Sequence, residues 1–274
     1  MKNLRKLFVL MLVISGIAML NSCNNDEMAT DLNAKTETSD YLSIVDAFSL
    51  AAEEEITSST ADELKSAELT SCLTVTVHKN ADGNFWPRSW TLDYGTENCE
   101  CLAGNTKRGK INVTISDWWK NEGSLKEITF EDFYMNNNKM EGVKTILNTG
   151  LNENGNLTFT KKVKNAKLTY PDATSISWNC EKYSEQIEGG ATLLFADDVW
   201  SVTGEGNGVN LDAKNYTMKI TTALIYKNGC FYPVSGIVEI NAEGEELKVI
   251  NYGDGVCDNL ATVTVGGVTE TVEL

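Results

Sequence analysis

The chain has 274 residues with 23 Lys and Arg against 39 Asp and Glu, a net charge of −16. Nucleic-acid partners demand Lys and Arg for their phosphates, so this balance argues against them, and it equally argues against direct adhesion to an anionic lipid surface. A single histidine, His78, rules out His-rich zinc sites, and three prolines with dispersed glycines rule out collagen-like or low-complexity architecture.

The N-terminus reads as a leader. Lys2, Arg5 and Lys6 form a positive region, and the run Leu7 to Leu20 carries no charge. Fourteen residues are too few for an ordinary spanning helix, which needs about 20, and match a signal-peptide core. The run ends in Leu20-Asn21-Ser22-Cys23, which resembles a bacterial lipobox. It makes 1–22 a lipoprotein signal peptide and Cys23 the lipidated mature N-terminus, with the membrane as partner through that lipid. More than one acyl chain makes such anchoring stable. Removing the leader leaves 20 basic residues against 39 acidic ones. Asn24-Asn25-Asp26-Glu27 resembles the surface-export signal of Bacteroidetes lipoproteins. Residues 23–40 read as a flexible polar tether.

Residues 41–68 hold a short helix and linker. Tyr41, Ile44, Val45, Phe48 and Ala52 fall at helical spacing, Ser39 is an available N-cap, and the helix is expected over Asp40–Glu54. From Leu69 to Leu274 the period changes to two. Ile111, Val113 and Ile115 alternate with polar residues, as do Tyr216, Met218 and Ile220. Turn signals such as Asp82-Gly83, Asn136-Asn137-Asn138, Asn152 to Asn156, Pro171-Asp172 and Gly266-Gly267 separate the runs. The fold class is therefore all-β: about a dozen antiparallel strands, arranged as a sandwich or an elongated sheet, with one solvated and one core-facing face. Lys161-Lys162-Val163-Lys164 is taken as an example of that two-faced pattern.

Six cysteines follow Cys23. A hairpin centred between residues 243 and 244 sets Cys230 opposite Cys257, Val238 opposite Val249, Ile237 opposite Ile250, Ile240 opposite Leu247, and Glu239 opposite Lys248, so Cys230–Cys257 is expected as a disulfide. The spacing recurs between Cys72 and Cys99. Tyr94, Gly95, Cys99, Ala103 and Gly109 match Tyr252, Gly253, Cys257, Ala261 and Gly267 at the same offset of 158 residues. This points to an internal duplication of 72–115 and 230–273 and, by analogy, to a Cys72–Cys99 bridge. Cys101 and Cys180 either bridge or stay as thiols. A Cys99/Cys101 metal site lacks companions at zinc spacing.

Phrases including Arg108-Gly109-Lys110-Ile111, Tyr134 to Gly142, Asp198 to Gly204 and Tyr252 to Asn259 together resemble a family of β-rich lipoproteins of Bacteroidetes. The resemblance covers Cys72 to Leu274 and implies envelope location and β structure. It brings no catalytic residues with it.

Candidate chemistry is sparse. Trp86 and Trp90 in the first hairpin could stack on sugar rings or cover a small core. Of Trp118 and Trp119, adjacent along the chain, one is expected in the core and one exposed; Trp178 and Trp200 are expected to be ordinary packing. His78 and Asp93 fall opposite each other in the register that pairs Cys72 with Cys99, an arrangement of a base with its carboxylate or of a structural ion pair. Asp254, Asp258 and Asn259 could offer oxygens to Ca²⁺, yet their spacing departs from the EF-hand pattern, and a solvated turn is the better reading for them and for Asp197-Asp198. The expectation is a non-enzymatic outer-membrane lipoprotein, exposed at the surface, with a structural or interaction role and no cofactor or metal. A glycan- or host-ligand-binding, adhesin-like module is the alternative. A polysaccharide hydrolase with paired carboxylates ranks third.

Overall fold

The segments of period two form the strands of one sheet. The computed structural model describes residues 72–78, 80, 82–101, 105–192 and 195–274; the signal peptide, Cys23, the tether and the helix expected at 40–54 lie outside them. The strands are β1 (Thr74–His78), β2 (Arg88–Asp93), β3 (Cys99–Glu100), β4 (Thr106–Ile115), β5 (Leu125–Met135), β6 (Asn138–Leu151), β7 (Leu157–Thr169), β8 (Ser175–Glu188), β9 (Val199–Val209), β10 (Asn215–Lys227), β11 (Ser235–Ala242), β12 (Lys248–Asp254), β13 (Leu260–Val265) and β14 (Val268–Glu273). All belong to one antiparallel sheet of 14 strands, so the protein is all-β. Each strand pairs with the one before it, except that the two-residue β3 hangs off β4 and leaves β2 and β4 as neighbours. β1 and β14 are the two edges.

Most buried side chains share one face, because residues in register across an antiparallel ladder point the same way. One row runs Val113, Ile128, Lys144, Val163, Cys180, Gly206, Met218 and Ile240 from β4 to β11. Most of it is apolar, and a single cluster of buried residues extends from Val75 to Val263. Each Ile, Leu, Val or Phe so placed contributes roughly 1.5–3 kcal/mol. On β9 this face carries Gly204, Gly206 and Gly208. A side chain at Gly208 would meet the Tyr216 hydroxyl at 2.7 Å, so the absent Cβ lets Tyr216 reach over β9, where its hydroxyl donates to the Ser177 carbonyl at 3.4 Å.

The long strands are bulged. Register shifts fall at Gly109 on β4, before Tyr134 on β5, at Gly142 on β6 and before Ala166 on β7. Gly109, Asp132, Gly142 and Asn165 have φ of 87°, 43°, 128° and 53°. Bulges bend a strand and raise its twist, so a strip of bends crosses four neighbouring strands. A Cβ at Gly109 would drive into the Asp132 carbonyl, which makes glycine obligatory there.

Three hairpin turns share one geometry. Asn152 donates to the Asn156 carbonyl and Gly155 to that of Asn152, and the same pair of bonds recurs at Tyr170–Thr174 and Asn210–Lys214. This is a type I turn closed by a left-handed residue. The left-handed positions are Gly155 (φ 78°), Ala173 (φ 67°) and Ala213 (φ 59°).

Two expected registers are corrected. β11 and β12 pair Val238 with Ile250, Glu239 with Val249 and Ile240 with Lys248, one residue away from the expected alignment. Glu245 donates to the Ala242 carbonyl at 3.1 Å, and this turn sets the slip. Cys230 and Cys257 lie beyond the ladder, yet bond across its open end with Cα atoms 5.6 Å apart. In the first hairpin, β1 and β2 pair Thr74 with Asp93 and His78 with Ser89. Cys72 precedes β1 and bonds to Cys99 at the start of β3, with Cα atoms 5.9 Å apart. That bridge runs from the edge strand to β3 rather than across the ladder, so it does not fix the register.

The two disulfide-closed hairpins share further detail. Tyr94 and Tyr252 are both buried. Gly95 and Gly253 both have positive φ, and their N–H groups donate to Asp93 Oδ1 at 2.9 Å and Asn251 Oδ1 at 3.0 Å. Beyond the second cysteine the offset loses structural meaning: Gly109 is a bulge inside β4, whereas Gly267 lies in the turn between β13 and β14.

Candidate functional site

The meander gives the sheet two ends. At one end lie the tight turns 136–137, 170–174, 210–214, 243–247 and 266–267 together with the longer connection from β2 to β4 that carries β3. Here the chain enters through Cys72, ahead of β1. At the other end lie the segments 79–87, 116–124, 152–156, 189–198, 228–234 and 255–259. With 14 residues in β6 at about 3.3 Å each, the two ends stand about 45 Å apart.

Apolar exposure is concentrated at the second end. Among the described residues twelve large apolar side chains are exposed, and nine of them lie in or beside this end's loops: Val77, Phe85, Trp118, Leu125, Leu151, Ile187, Phe231, Val256 and Leu260. Leu151 is 68% exposed and Phe85 67%. Scattered apolar side chains need no explanation; nine of twelve at one rim make that rim the candidate contact surface.

The rim is held in shape by its own polar groups. Trp118 and Trp119 lie with ring centroids 6.3 Å apart, Trp119 stacks on Phe159 at 6.2 Å, and Phe159 meets Trp200 at 5.8 Å. Asp117 accepts from the Trp118 N–H at 2.7 Å and from Asn121 Nδ2 at 2.9 Å. These two donors, Asn121 first, hold its carboxyl below the ordinary range. Asn148 Nδ2 donates to the Trp119 carbonyl at 2.8 Å. In the first hairpin Phe85 and Trp86 meet edge to face at 5.1 Å, and the Arg88 guanidinium lies 4.9 Å from the Phe85 ring. The Cys230–Cys257 disulfide ties the loops that carry Phe231 and Val256.

The sequence candidates divide between rim and core. Trp86 is half-buried at the rim. Trp90 is not a rim residue: it stands between Val77 and Val113 on the core face, and its indole N–H is buried without a hydrogen-bond partner. Trp118 is exposed and Trp178 buried; Trp119 and Trp200 are half-buried in the aromatic row. His78 does not face Asp93. Its Nε2 lies 2.9 Å from Thr91 Oγ1, while Asp93 sits 3.7 Å from Lys110 Nζ. Asp198 accepts from Gln186 Nε2 at 2.7 Å and Asp197 from Thr192 Oγ1 at 2.9 Å, so both carboxylates brace the loop before β9. Asp258 accepts from the Leu260 N–H at 3.2 Å, as a turn residue does. Among the described residues no group of three His, Cys, Asp or Glu is placed to hold a metal ion. Cys101 and Cys180 form no disulfide: Cys180 lies on β8 beside Val163 and Gly206, several strands from Cys101 after β3.

Lys126 on β5, Ile146 on β6, Lys161 on β7 and Lys182 on β8 stand in register, followed by Gly204 on β9. Lys144 lies in the next row, between Ile128 and Val163, and is 2% exposed. Lys161 therefore shares its face with the buried Phe159 and Val163, not with the solvated side. Four lysines gather on the core face of a strongly acidic protein. The signal was parity: along β7 and β8, Lys161 and Lys182 occupy the same alternate positions as Val163 and Ser184.

Comparison with protein-family models, curated proteins and solved structures found no match for this chain.

Proposed function

We infer that the protein is a lipid-anchored, surface-exposed protein of the outer membrane with a non-enzymatic structural or interaction role, and that it meets its partner through the loop-end rim. Two disulfides suit an oxidising compartment outside the cytoplasm, in keeping with a leader that ends at Cys23. The observation that supports the reading is a separation along the strands: the described chain enters at Cys72, and the exposed apolar side chains gather at the opposite end. A lipid on Cys23 would then leave Phe85, Trp118, Leu151 and Phe231 turned toward a partner. Loss of radiolabelled palmitate in Cys23→Ser and protease shaving of the domain from intact cells test the address. Unchanged labelling, or a domain shaved only after lysis, would refute it.

A second reading is favoured by a specific observation. Trp118 is 45% exposed at the end of the aromatic row, and Trp86 lies beside exposed Phe85, so the rim offers flat apolar faces near Asp and Asn side chains, as sugar-binding surfaces do. A glycan array with the wild type and with Trp86→Ala and Trp118→Ala tests it. No binding by the wild type removes the glycan reading and leaves a protein partner. Hydrolysis finds less support, since Asp197 and Asp198 already brace their own loop.

A further inference from the structure

The two edges of the sheet are not alike. β14 carries Glu270 opposite the buried Val263, so on the core face, and Glu273 near its end. A charge pointing inward from an edge strand hinders other strands from adding there. β1 has no such device. Thr74, Val75, Thr76, Val77 and His78 include no Lys, Asp, Glu or Pro, and β1 pairs with β2 without a bulge. Thr and Val also favour strands. Among the described residues no strand pairs with the outer side of β1. Thr76 is exposed there, and Val77 is 41% exposed.

The hydrogen-bond phase of the ladder fixes which backbone groups of β1 stay open. The Tyr94 N–H donates to the Gly109 carbonyl, so Leu92 and Trp90 turn their backbone groups toward β4, opposite Ile111 and Val113. Thr91 and Ser89 then bond to β1, at Thr76 and His78. The backbone groups of Val75 and Val77 therefore point away from the sheet, while their side chains share the core face with Leu92 and Trp90. An antiparallel strand added at this edge must bring open residues whose side chains also lie on the core face. β14 cannot. Its Leu274 N–H donates to the Asn259 carbonyl, so its open residues are Thr269, Thr271 and Glu273, on the solvated face. Added in parallel instead, β14 would set Glu270 beside Leu73, Val75 or Val77. β1 of a second copy meets both conditions and brings no charge.

We propose that two copies of this chain pair through β1, antiparallel, about a twofold axis at Thr76. Val75 of each copy then lies opposite Val77 of the other, Thr74 opposite His78, and Thr76 opposite its own counterpart, so the whole of β1 is paired. The open backbone groups of Val75 and Val77 satisfy one another, Val77 is covered, and no two charges are opposed. The contact is isologous and closed, and it joins two 14-stranded sheets into one. It is smaller than the roughly 1,200 Å² at which standard interfaces begin, so the pair is reversible and is read best by a covalent trap.

The test uses the full mature chain with Cys23→Ser, Cys101→Ser and Cys180→Ser, which leaves both disulfides in place and removes competing thiols. At the twofold axis Thr76 forms a non-hydrogen-bonded pair with Cα atoms about 4.5 Å apart, within disulfide reach. Thr76→Cys should therefore shift to a disulfide-linked dimer under mild oxidation, read on a non-reducing gel and by peptide mapping. Thr74→Cys and His78→Cys should link to each other when mixed, and His78→Cys alone should stay single. Val77→Pro removes only an open N–H, and Val77→Lys puts a charge on the core face at the edge; each should abolish the Thr76→Cys dimer. No dimer from Thr76→Cys, a dimer that survives both changes at Val77, or equal linking by His78→Cys alone would overturn the proposal. Linking by Thr271→Cys in place of Thr76→Cys would move the contact to β14 and overturn it as well.

Discussion

Lys161 on β7 stands directly across from Lys182 on β8, on the face of the sheet that buries Phe159 and Val163. A solvated pair of this kind would cost little. On the core face it sets two like charges beside buried apolar side chains, and with Lys126 and Lys144 it makes β5 to β8 the charged part of that face.

Ala173 and Ala213 occupy left-handed positions where the equivalent turn has Gly155. An L-residue pays about 1–2 kcal/mol there, and glycine returns part of that through its unfolded-state entropy. Ala173→Gly and Ala213→Gly should each stabilise by about 0.5–1 kcal/mol and add together, the two turns being separate. Urea unfolding midpoints check this, and a loss of stability at either site would contradict the turn assignment.

At Gly109 the same logic runs in reverse. Its φ is 87°, and a Cβ would collide with backbone of Asp132 and Phe133. Gly109→Ala should cost about 3 kcal/mol, whereas Gly83→Ala, with positive φ but open space around it, should cost about 1 kcal/mol. Comparing the two thermal midpoints separates collision from backbone strain.

Glu185 accepts from Asn152 and Asn156, each at 2.7 Å, and those bonds, Asn156 first, lower its pKa. A carboxyl lowered in the folded state stabilises above its ordinary range, and that contribution is lost as pH falls through the lowered value. Glu185→Gln should therefore be less stable than wild type near neutral pH, and the two should converge as pH falls through the lowered value. Denaturation midpoints against pH check the convergence. Because the group remains partly solvated, the difference should be small.

Removing the Cys230–Cys257 bridge as a double Ser variant should cost about 3 kcal/mol for a 27-residue separation and loosen the rim loops carrying Phe231 and Val256. Amide exchange should rise there while the turns at 170–174 and 210–214 stay protected.

Strand content was legible because alternation such as Ile111, Val113 and Ile115 is a local property. The Cys230–Cys257 bridge was legible from hairpin opposition, and the Cys72–Cys99 bridge from the recurrence of its spacing. Register was not: the bulge between Ser235 and Ile237 and the turn at Glu245 moved β11 against β12 by one residue, and a one-residue slip depends on turn geometry that hydrophobic pattern does not encode. Trp90 looked like a ligand residue because only the ladder places it between Val77 and Val113. The lysine band was hidden because Lys126, Lys144, Lys161 and Lys182 are dispersed over 57 positions of sequence and become neighbours only through strand order. The rim was hidden for the same reason, since its apolar residues come from separate loops.

The most direct measurement places a photo-crosslinking amino acid in the lipidated protein on living cells, at Phe85, Trp118, Leu151 or Phe231 in one set and at Ala173, Ala213 or Gly244 in another. The expected result is adducts from the first set and none from the second. Adducts from the tight-turn end alone, or from neither end, would contradict a protein that meets its partner through the rim farthest from its tether.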